Sequence, residues 1–176
     1  GAHRTPWPAR LSVAVLSAGD GVVVRGAAGG VGLASVWFAA HLGATVTAVA
    51  SSPEKLAAAS AEGATRLIDH RAGDLRQSLR EALPDGADAV IDPVGGDLAE
   101  PALRALHYGG RFVTVGFASG TIPRVPLNLV LLKGSQIRAF EFLSFMVNQP
   151  DAAARNEAEL LGLVASGQVR PHIGAR

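Results

Sequence analysis

The sequence predicts an α/β fold in which a doubly wound parallel sheet of six strands carries helices on both faces. Short β-branched runs alternate with longer stretches of helical periodicity, and this rhythm is typical of parallel βαβ units with right-handed crossovers. Near the start, the apolar run Val22-Val23-Val24 breaks into Gly26-Ala27-Ala28-Gly29-Gly30-Val31-Gly32 and continues in helix-forming residues. A strand, a tight turn and a helix are therefore predicted there.

Each further element follows from local signals. Strands are predicted where β-branched residues fill a run bounded by glycine, proline or polar residues, and helices where apolar residues recur every three or four positions. Gly43 is a typical helix stop, and Pro53 suits the first position of a helix. The predicted strands are 22–25, 45–50, 65–69, 87–92, 111–115 and 136–140. The predicted helices are 11–16, 31–42, 53–63, 74–83, 98–106, 127–132 and 152–166, with a long loop at 117–125.

Composition restricts the class of protein. The 176 residues, 48% of them hydrophobic, suit one globular domain with a core of its own. Because 16 basic and 15 acidic residues are interspersed, the net charge of +1 indicates neither nucleic-acid binding nor a membrane-binding patch. No apolar run reaches the roughly 18 residues of a membrane span, and no secretory signal begins the chain. A soluble, cytoplasmic protein that binds a small molecule is expected.

The sequence lacks the residues or motifs that several other functions require. Cysteine is absent, which excludes disulfides, thiolate-bound zinc and a cysteine nucleophile. The histidines have no H-E-x-x-H spacing, so no metal site is predicted. The serine of Gly116-Phe117-Ala118-Ser119-Gly120 comes one residue late for a hydrolase nucleophile, and Lys133-Gly134-Ser135 lacks the order of a phosphate-binding NTPase loop.

The glycine turn after the first strand is the main candidate binding element. A backbone that approaches a diphosphate closely leaves no room for a Cβ, and Gly29 and Gly30 meet that need. Gly32 lets the helix pack close to the strand, while the free N–H groups at the helix start attract an anion. Ala27 occupies the first glycine position of the usual G-x-G-x-x-G pattern. A glycine turn that only joins a strand to a helix is the alternative.

Four chain segments should meet at one edge of the sheet. In doubly wound sheets, ligands bind beyond the carboxyl ends of the strands, where the strand order reverses. The glycine turn and residues 50–52, 92–95 and 116–117 all fall at such ends. The sequence therefore predicts one crevice lined by these segments.

Four segments, taken in order, resemble the cofactor-binding domain of the medium-chain dehydrogenase/reductase superfamily, specifically its zinc-independent quinone oxidoreductase branch. They are Gly26-Ala27-Ala28-Gly29-Gly30-Val31-Gly32, Ser51-Ser52-Pro53-Glu54-Lys55-Leu56, Asp92-Pro93-Val94-Gly95-Gly96, and Gly109-Gly110-Arg111 with Gly116-Phe117-Ala118-Ser119-Gly120. The resemblance implies a Rossmann-type fold and hydride transfer from NADPH to a quinone or an α,β-unsaturated carbonyl compound. It also implies a homodimer formed through the edge strand at 135–140.

The same resemblance assigns a role to individual positions. Those that match the diphosphate turn are Gly29, Gly30, Val31 and Gly32. Those near the phosphate of the adenosine ribose are Ser51, Lys55 and His70, although His70 could equally be an exposed loop residue. Those on the nicotinamide side are Val94, Gly116, Phe117, Phe140 and Phe142, and the last two could equally belong to the core or to a dimer interface.

The end of the second strand predicts which cofactor binds. An NAD site places an acidic residue there to bind the ribose 2′-hydroxyl, whereas this strand ends Val49-Ala50-Ser51-Ser52. The hydroxyls of Ser51 and Ser52 can donate to a 2′-phosphate, and Lys55 lies one helical turn further on. NADP(H) is therefore expected. The alternative is that Lys55 is only a solvated lysine at a helix start.

The resemblance also divides the chain. It runs from about residue 19 and implies an NADP(H)-binding domain at 19–176, with the family's catalytic domain not present. The residues before it, with two prolines and no periodicity at 1–10, predict a lead-in segment with a short helix at 1–18. A fragment that binds the cofactor without efficient turnover is expected, and the sequence identifies neither its catalytic residues nor its substrate. An enoyl reductase domain of a polyketide synthase and a non-catalytic nucleotide-binding regulatory module are the alternative functions.

Overall fold

A computed structural model describes residues 15–168 and contains a single six-stranded sheet in which every pair of neighbours is parallel. The strands are β1 (Gly21–Arg25), β2 (Thr45–Ala50), β3 (Arg66–Asp69), β4 (Ala87–Asp92), β5 (Leu106–Thr114) and β6 (Gln136–Ala139). The helices are α1 (Gly30–His41), α2 (Pro53–Ala61), α3 (Leu75–Ala82), α4 (Ala99–Arg104), α5 (Leu127–Lys133), α6 (Phe142–Asn148) and α7 (Pro150–Ala165).

The strand order defines where a ligand can bind. Across the sheet it is β3-β2-β1-β4-β5-β6, so the chain winds outward from β1 first in one direction and then in the other. The direction reverses between β1 and β4, and in doubly wound sheets the ligand-binding crevice lies at the carboxyl ends of the strands at such a point. The predicted Rossmann-type α/β fold is confirmed.

Two hydrophobic cores form, one on each face of the sheet. Val22 and Val24 of β1 pack with residues of α1 and α2, whereas Val23, between them, packs with residues of α3 and α4. Successive side chains of a strand point to opposite faces, so a run of three valines serves both cores. The continuous apolar character of β1 is explained by burial on both sides.

Two predicted elements differ from the structure or lie mostly outside its described part, and one helix was not predicted. Strand β5 begins at Leu106, five residues before the predicted start, because Gly109 and Gly110 lie within a bulged strand rather than in a turn before it. Helix α6 was not predicted. Glu141 caps it, since its carboxylate accepts the amide N–H groups of Leu143 and Ser144. The predicted helix 11–16 lies mostly outside the described residues, and the two described residues within it are not helical.

No helix within residues 15–168 combines the length and the apolar character that crossing a bilayer requires.

Candidate functional site

The turn between β1 and α1 has the geometry that a closely approaching ligand needs. A Cβ built on Gly30 would meet nothing within 4 Å, so open space lies in front of the helix start. A Cβ on Gly32 would lie only 2.0 Å from the Gly26 carbonyl oxygen and 2.8 Å from the Ala27 Cα. The helix therefore packs directly on the turn, while its amino end, capped by Gly29, faces the open space. The helix dipole and free N–H groups favour an anion there.

Gly26 and Val31 complete this turn. Gly26 has a φ of +56°, in the left-handed region that glycine adopts without strain. A Cβ on it would lie 2.7 Å from the Val94 Cγ2, so its small size also allows the loop after β4 to approach. Val31 is half-buried in the first turn of α1. The glycine turn after β1 and the loop after β4 are thus in contact.

The side chains of Ser51 and Lys55 meet at the carboxyl end of β2. The Lys55 Nζ donates to the Ser51 Oγ at 2.9 Å, and both side chains are at the surface. The Ser52 hydroxyl caps α2 by accepting the Lys55 amide N–H at 3.4 Å. An ammonium group and a hydroxyl are therefore held together beside the strand end, where an anion could contact both.

His70 and Asp69 belong to the neighbouring strand end. The His70 amide donates to the Ala50 carbonyl oxygen at 3.0 Å, which brings His70 to the end of β2 beside Ser51. Asp69 stands in register with Ala50, and its Oδ1 accepts the Arg71 amide at 2.9 Å. Asp69 was not among the predicted site residues, although it ends a predicted strand in the sequence.

The loops after β4 and β5 are hydrogen-bonded to each other. The Ala118 amide donates to the Pro93 carbonyl oxygen at 3.1 Å, and the Ser119 amide to the Val94 carbonyl oxygen at 2.9 Å. Gly116 leads into this loop, and Phe117 is exposed on it. A Cβ on Gly95 would lie 2.8 Å from the Phe117 ring, so Gly95 allows the ring to lie against the turn. Val94, Gly116 and Phe117 are brought together as predicted from their positions at strand ends.

Phe140 and Phe142 have different environments. Phe140 follows β6 and is buried, and its ring lies 5.5 Å from that of Phe145 on α6. Phe142 begins α6 and is 47% exposed. The packing of Phe140 favours its core alternative, whereas Phe142 remains accessible at the surface.

A buried ion pair between Arg25 and Asp92 lies at the switch point and was missed by the sequence analysis. The Arg25 Nη1 contacts the Asp92 Oδ2 at 2.7 Å, and its Nη2 donates to the Gly95 carbonyl oxygen at 3.0 Å. The Asp92 Oδ1 accepts the amides of Val94 and Gly95 at 2.9 and 3.1 Å. The pair therefore fixes the loop that follows β4. The sequence contains a signal for this pair, because one apolar strand ends in a basic residue and another ends in an acidic residue.

Burial determines the electrostatics of this pair. Removal from water lowers the pKa of the Arg25 guanidinium, and the Asp92 carboxylate acts in the opposite direction. The Arg25 Nε has no hydrogen-bond partner in the described part of the chain, so the guanidinium is held by its two terminal nitrogens. Within residues 15–168, no group of three or more histidine or acidic side chains could hold a metal ion.

A doubly wound sheet with an anion-receptive glycine turn at its switch point defines a dinucleotide-binding domain. Comparison with known proteins agrees. The model of the zinc-binding dehydrogenase family matches residues 30–159. The quinone oxidoreductase-like protein 2 of Bos taurus is 37% identical over 158 residues, which cover 89% of this chain and 45% of that protein. Polyketide synthase GfsB of Streptomyces halstedii is 42% identical over 115 residues, 65% of this chain and 2% of the synthase.

The solved structures give the same result. The quinone oxidoreductase of Escherichia coli, crystallised with NADPH, superimposes with a TM-score of 0.82 at 26% sequence identity, over 94% of this chain and 53% of that one. The chain belongs to the zinc-binding dehydrogenase family. Within it, the chain is similar to the cofactor-binding domain of medium-chain dehydrogenases/reductases of the quinone oxidoreductase branch, and the predicted family is confirmed. It spans 45% of the length of the bovine relative.

Proposed function

We propose that this chain is the NADP(H)-binding domain of a reductase and that it holds the cofactor in the crevice at the carboxyl edge of the sheet. The observation that carries the proposal is the hydrogen bond of 2.9 Å between Lys55 and Ser51, at the end of a strand that has no acidic residue of its own there. The NADPH bound to the Escherichia coli quinone oxidoreductase supports it.

The residues present fit a dinucleotide. Gly29, Gly30, Val31 and Gly32 would hold the diphosphate through backbone N–H groups, because the space in front of Gly30 is open. The side chains near the 2′-phosphate would be those of Ser51, Ser52, Lys55 and His70. The residues flanking the nicotinamide would be Val94, Gly116, Phe117 and Phe142, with Phe140 supporting from the core.

When bound, the nicotinamide would supply a hydride to a quinone or an α,β-unsaturated carbonyl compound. This chain's contribution is to hold the cofactor, because the loops after β4 and β5 are fixed by the buried Arg25–Asp92 pair and by each other. Tested by itself, this domain should turn over inefficiently, because efficient hydride transfer also needs a site that excludes water and positions the substrate.

A polyketide synthase enoyl reductase is the second candidate function. It is favoured by the 42% identity to GfsB, which exceeds the 37% identity to the bovine quinone oxidoreductase-like protein, although over a shorter stretch. Both candidates require NADPH at the same crevice. Reduction of a quinone against reduction of an enoyl thioester, measured in the full-length protein, would distinguish them.

Titration of NADPH and NADH by fluorescence tests the cofactor proposal. Losing the charge-assisted bond in Lys55→Ala should weaken NADPH binding by about one to two powers of ten and leave NADH binding nearly unchanged. Ala50→Asp should weaken NADPH binding and strengthen NADH binding, because it repels the phosphate and offers the hydroxyl an acceptor. Arg66→Ala, which removes an exposed cation at the amino end of β3, is the control. Equal affinity of the unaltered chain for NADH and NADPH would refute the proposal.

The division into residues 1–18 and 19–176, the homodimer through 135–140 and the cytoplasmic location remain part of this proposal. The start of β1 at Gly21 supports placing the beginning of the NADP(H)-binding domain near residue 19. The exposed edge of the sheet at β6 supports the dimer.

A further inference from the structure

A second concave surface opens at the opposite edge of the sheet from the cofactor crevice. We call it the amino-edge groove: about 360 Å³ between α3, residues 83–86, the end of α4 and the start of β5. Gly86, just before β4, and Leu106 and His107, at the amino end of β5, are among its lining residues, whereas a dinucleotide in the crevice would lie beyond the carboxyl ends of the strands. Cofactor binding therefore does not account for it.

The groove is strongly basic. Arg76, Arg80, Arg104 and Lys133 line it, and Asp85 is the only carboxylate among its described lining residues. Arg104 already has a partner, since its Nε and Nη2 donate to the Glu100 Oε1 at 2.9 and 2.6 Å. The Lys133 ammonium donates to the Leu106 carbonyl oxygen, which holds it at the groove wall.

Arg76 and Arg80 have no such partner. They lie four residues apart on α3, so they share one face of the helix, and both are exposed. No carboxylate within residues 15–168 forms a salt bridge with either. Like charges at this spacing repel each other, and charges of one sign around a concave surface reinforce the local potential. An anion in the groove would relieve this repulsion.

The size of the groove and its apolar walls indicate the class of ligand. A volume of about 360 Å³ lies in the range of small-molecule pockets. The exposed Pro84 gives it an apolar part, whereas the side chains of Leu83 and Leu106 are buried in the core. Arginine forks match the oxygen geometry of phosphate groups, and two of them are free to bind.

We propose that the amino-edge groove binds a phosphorylated small molecule that carries at least two negative charges. Its phosphate groups bind Arg76 and Arg80, with Lys133 contributing at the wall, and its apolar part contacts Pro84. The site is separate from the cofactor crevice, so occupation of one leaves the other accessible.

Inorganic pyrophosphate, titrated into the ¹⁵N-labelled chain with NADPH at saturation, is the probe. We expect saturable shifts of the Gly86 and Ala105 amide signals. In Arg76→Gln/Arg80→Gln the affinity should fall about tenfold or more, because two charge-assisted contacts are lost. Arg66→Gln/Arg155→Gln, which removes the same charge from exposed positions elsewhere, should bind as the unaltered chain does.

Three results would overturn the proposal. They are shifts confined to the Gly29 to Gly32 turn, an equal loss of affinity in the two double variants, and no saturable shift at millimolar pyrophosphate. Lys55→Ala separates this proposal from the cofactor proposal: it should weaken NADPH binding and leave the shifts at Gly86 and Ala105 unchanged. Circular dichroism of each variant verifies that it is folded.

Discussion

At the scale of single residues, Gly30 and Gly32 form a matched pair within the first turn of one helix. A Cβ on Gly32 would lie 2.0 Å from a backbone oxygen, which cannot move without displacing the turn, whereas a Cβ on Gly30 would enter open space. Gly32→Ala should therefore lower the free energy of unfolding by about 1–3 kcal/mol or more and abolish NADPH binding.

Gly30→Ala should leave the stability equal or slightly raised, because alanine favours a helix more than glycine does. Its methyl group would still occupy the space proposed for the diphosphate, so NADPH binding should weaken. Urea denaturation and cofactor titration of both variants separate the two effects. Equal stability losses in the two variants would contradict the geometry of the turn.

The Arg25–Asp92 pair gives a second residue-scale prediction. Both side chains are almost completely buried, so removing one partner leaves an uncompensated charge. Asp92→Asn should destabilise the chain by about 3–5 kcal/mol. Arg25→Met should lower the free energy of unfolding by less, because the Asp92 carboxylate would still accept the hydrogen bonds from the amides of Val94 and Gly95. Urea unfolding of both single variants and of the double variant measures the coupling, and a loss below about 1 kcal/mol in Asp92→Asn would contradict it.

At the scale of elements, Asp88 links the amino ends of three strands. Its Oδ2 accepts the Gly21 amide at 2.7 Å and its Oδ1 lies 2.8 Å from the His107 Nε2. The hydrogen bond to Asp88 raises the pKa of His107, although partial burial and the Arg111 cation oppose it. Partial burial works to raise the pKa of Asp88, but the hydrogen bonds from His107 and Gly21 outweigh it and lower that pKa.

The signs of these shifts give a pH dependence. His107 contributes fully to the free energy of unfolding below its ordinary pKa, about 6.5, and this contribution is lost as the pH rises through the raised pKa. The contribution of Asp88 is complete above its ordinary pKa, about 3.9, and is lost as the pH falls through the lowered value. The pair should therefore stabilise the fold most between about pH 4 and 6.5.

Urea unfolding at pH 6 and pH 8.5 measures this contribution. The free energy of unfolding should fall between these two pH values in the unaltered chain, and the fall should be smaller in His107→Gln and in Asp88→Asn. His70→Gln changes a histidine at the carboxyl edge of the sheet, away from Asp88. This variant should show the same decrease in the free energy of unfolding between pH 6 and pH 8.5. An unaltered pH dependence in His107→Gln would exclude the pair as its origin.

The sequence predicted elements well where periodicity was strong and poorly where a bulge or a cap decided the structure. All six strands were predicted, because each is a β-branched or apolar run between turn residues. The start of β5 was missed because Gly109 and Gly110 are typical turn residues, and only the pairing with β4 shows that they continue a strand. Helix α6 depends on the capping of its amino end by Glu141.

At the scale of the whole molecule, the sheet ends in an uncovered edge. Among the strands of residues 15–168, β6 pairs only with β5, and Ile137 on it is 42% exposed. Leu131 and Leu132 of α5, just before this strand, are 81% and 73% exposed. An open strand edge beside apolar side chains favours pairing with a second copy. Sedimentation equilibrium at micromolar concentration should therefore give the mass of a dimer.

Ile137→Pro should shift the equilibrium to monomer, because proline removes an N–H group from the edge strand. Leu67→Pro, at the other edge strand β3, is the matched control and should leave the dimer intact. Ile137→Lys provides a second variant in which the strand can still pair with β5. A monomeric unaltered chain, or a dimer indifferent to both changes at Ile137, would contradict the interface.

The position of the site was predictable because parallel strands carry their carboxyl ends to one edge. The contacts within it were not, since they depend on which side chains face each other across two elements. The meeting of Lys55 and Ser51 follows from their spacing at a helix start, whereas the pairing of Arg25 with Asp92 depends on the order of β1 and β4 in the sheet. The order of the strands along the chain does not by itself specify that β1 and β4 are neighbours in the sheet.

The bulge in β5 allows the part of the strand before it and the part after it to change length independently of each other. Leu106 pairs with Ala87 and Arg111 with Ala89, so β5 advances five residues while β4 advances two. The pairing from Arg111 to Thr114 is regular again, and Gly109, with a φ of +81°, has open space beside it. Residues gained or lost within the bulge would alter the surface near the amino-edge groove while the phase of the strand leading to the crevice stays the same.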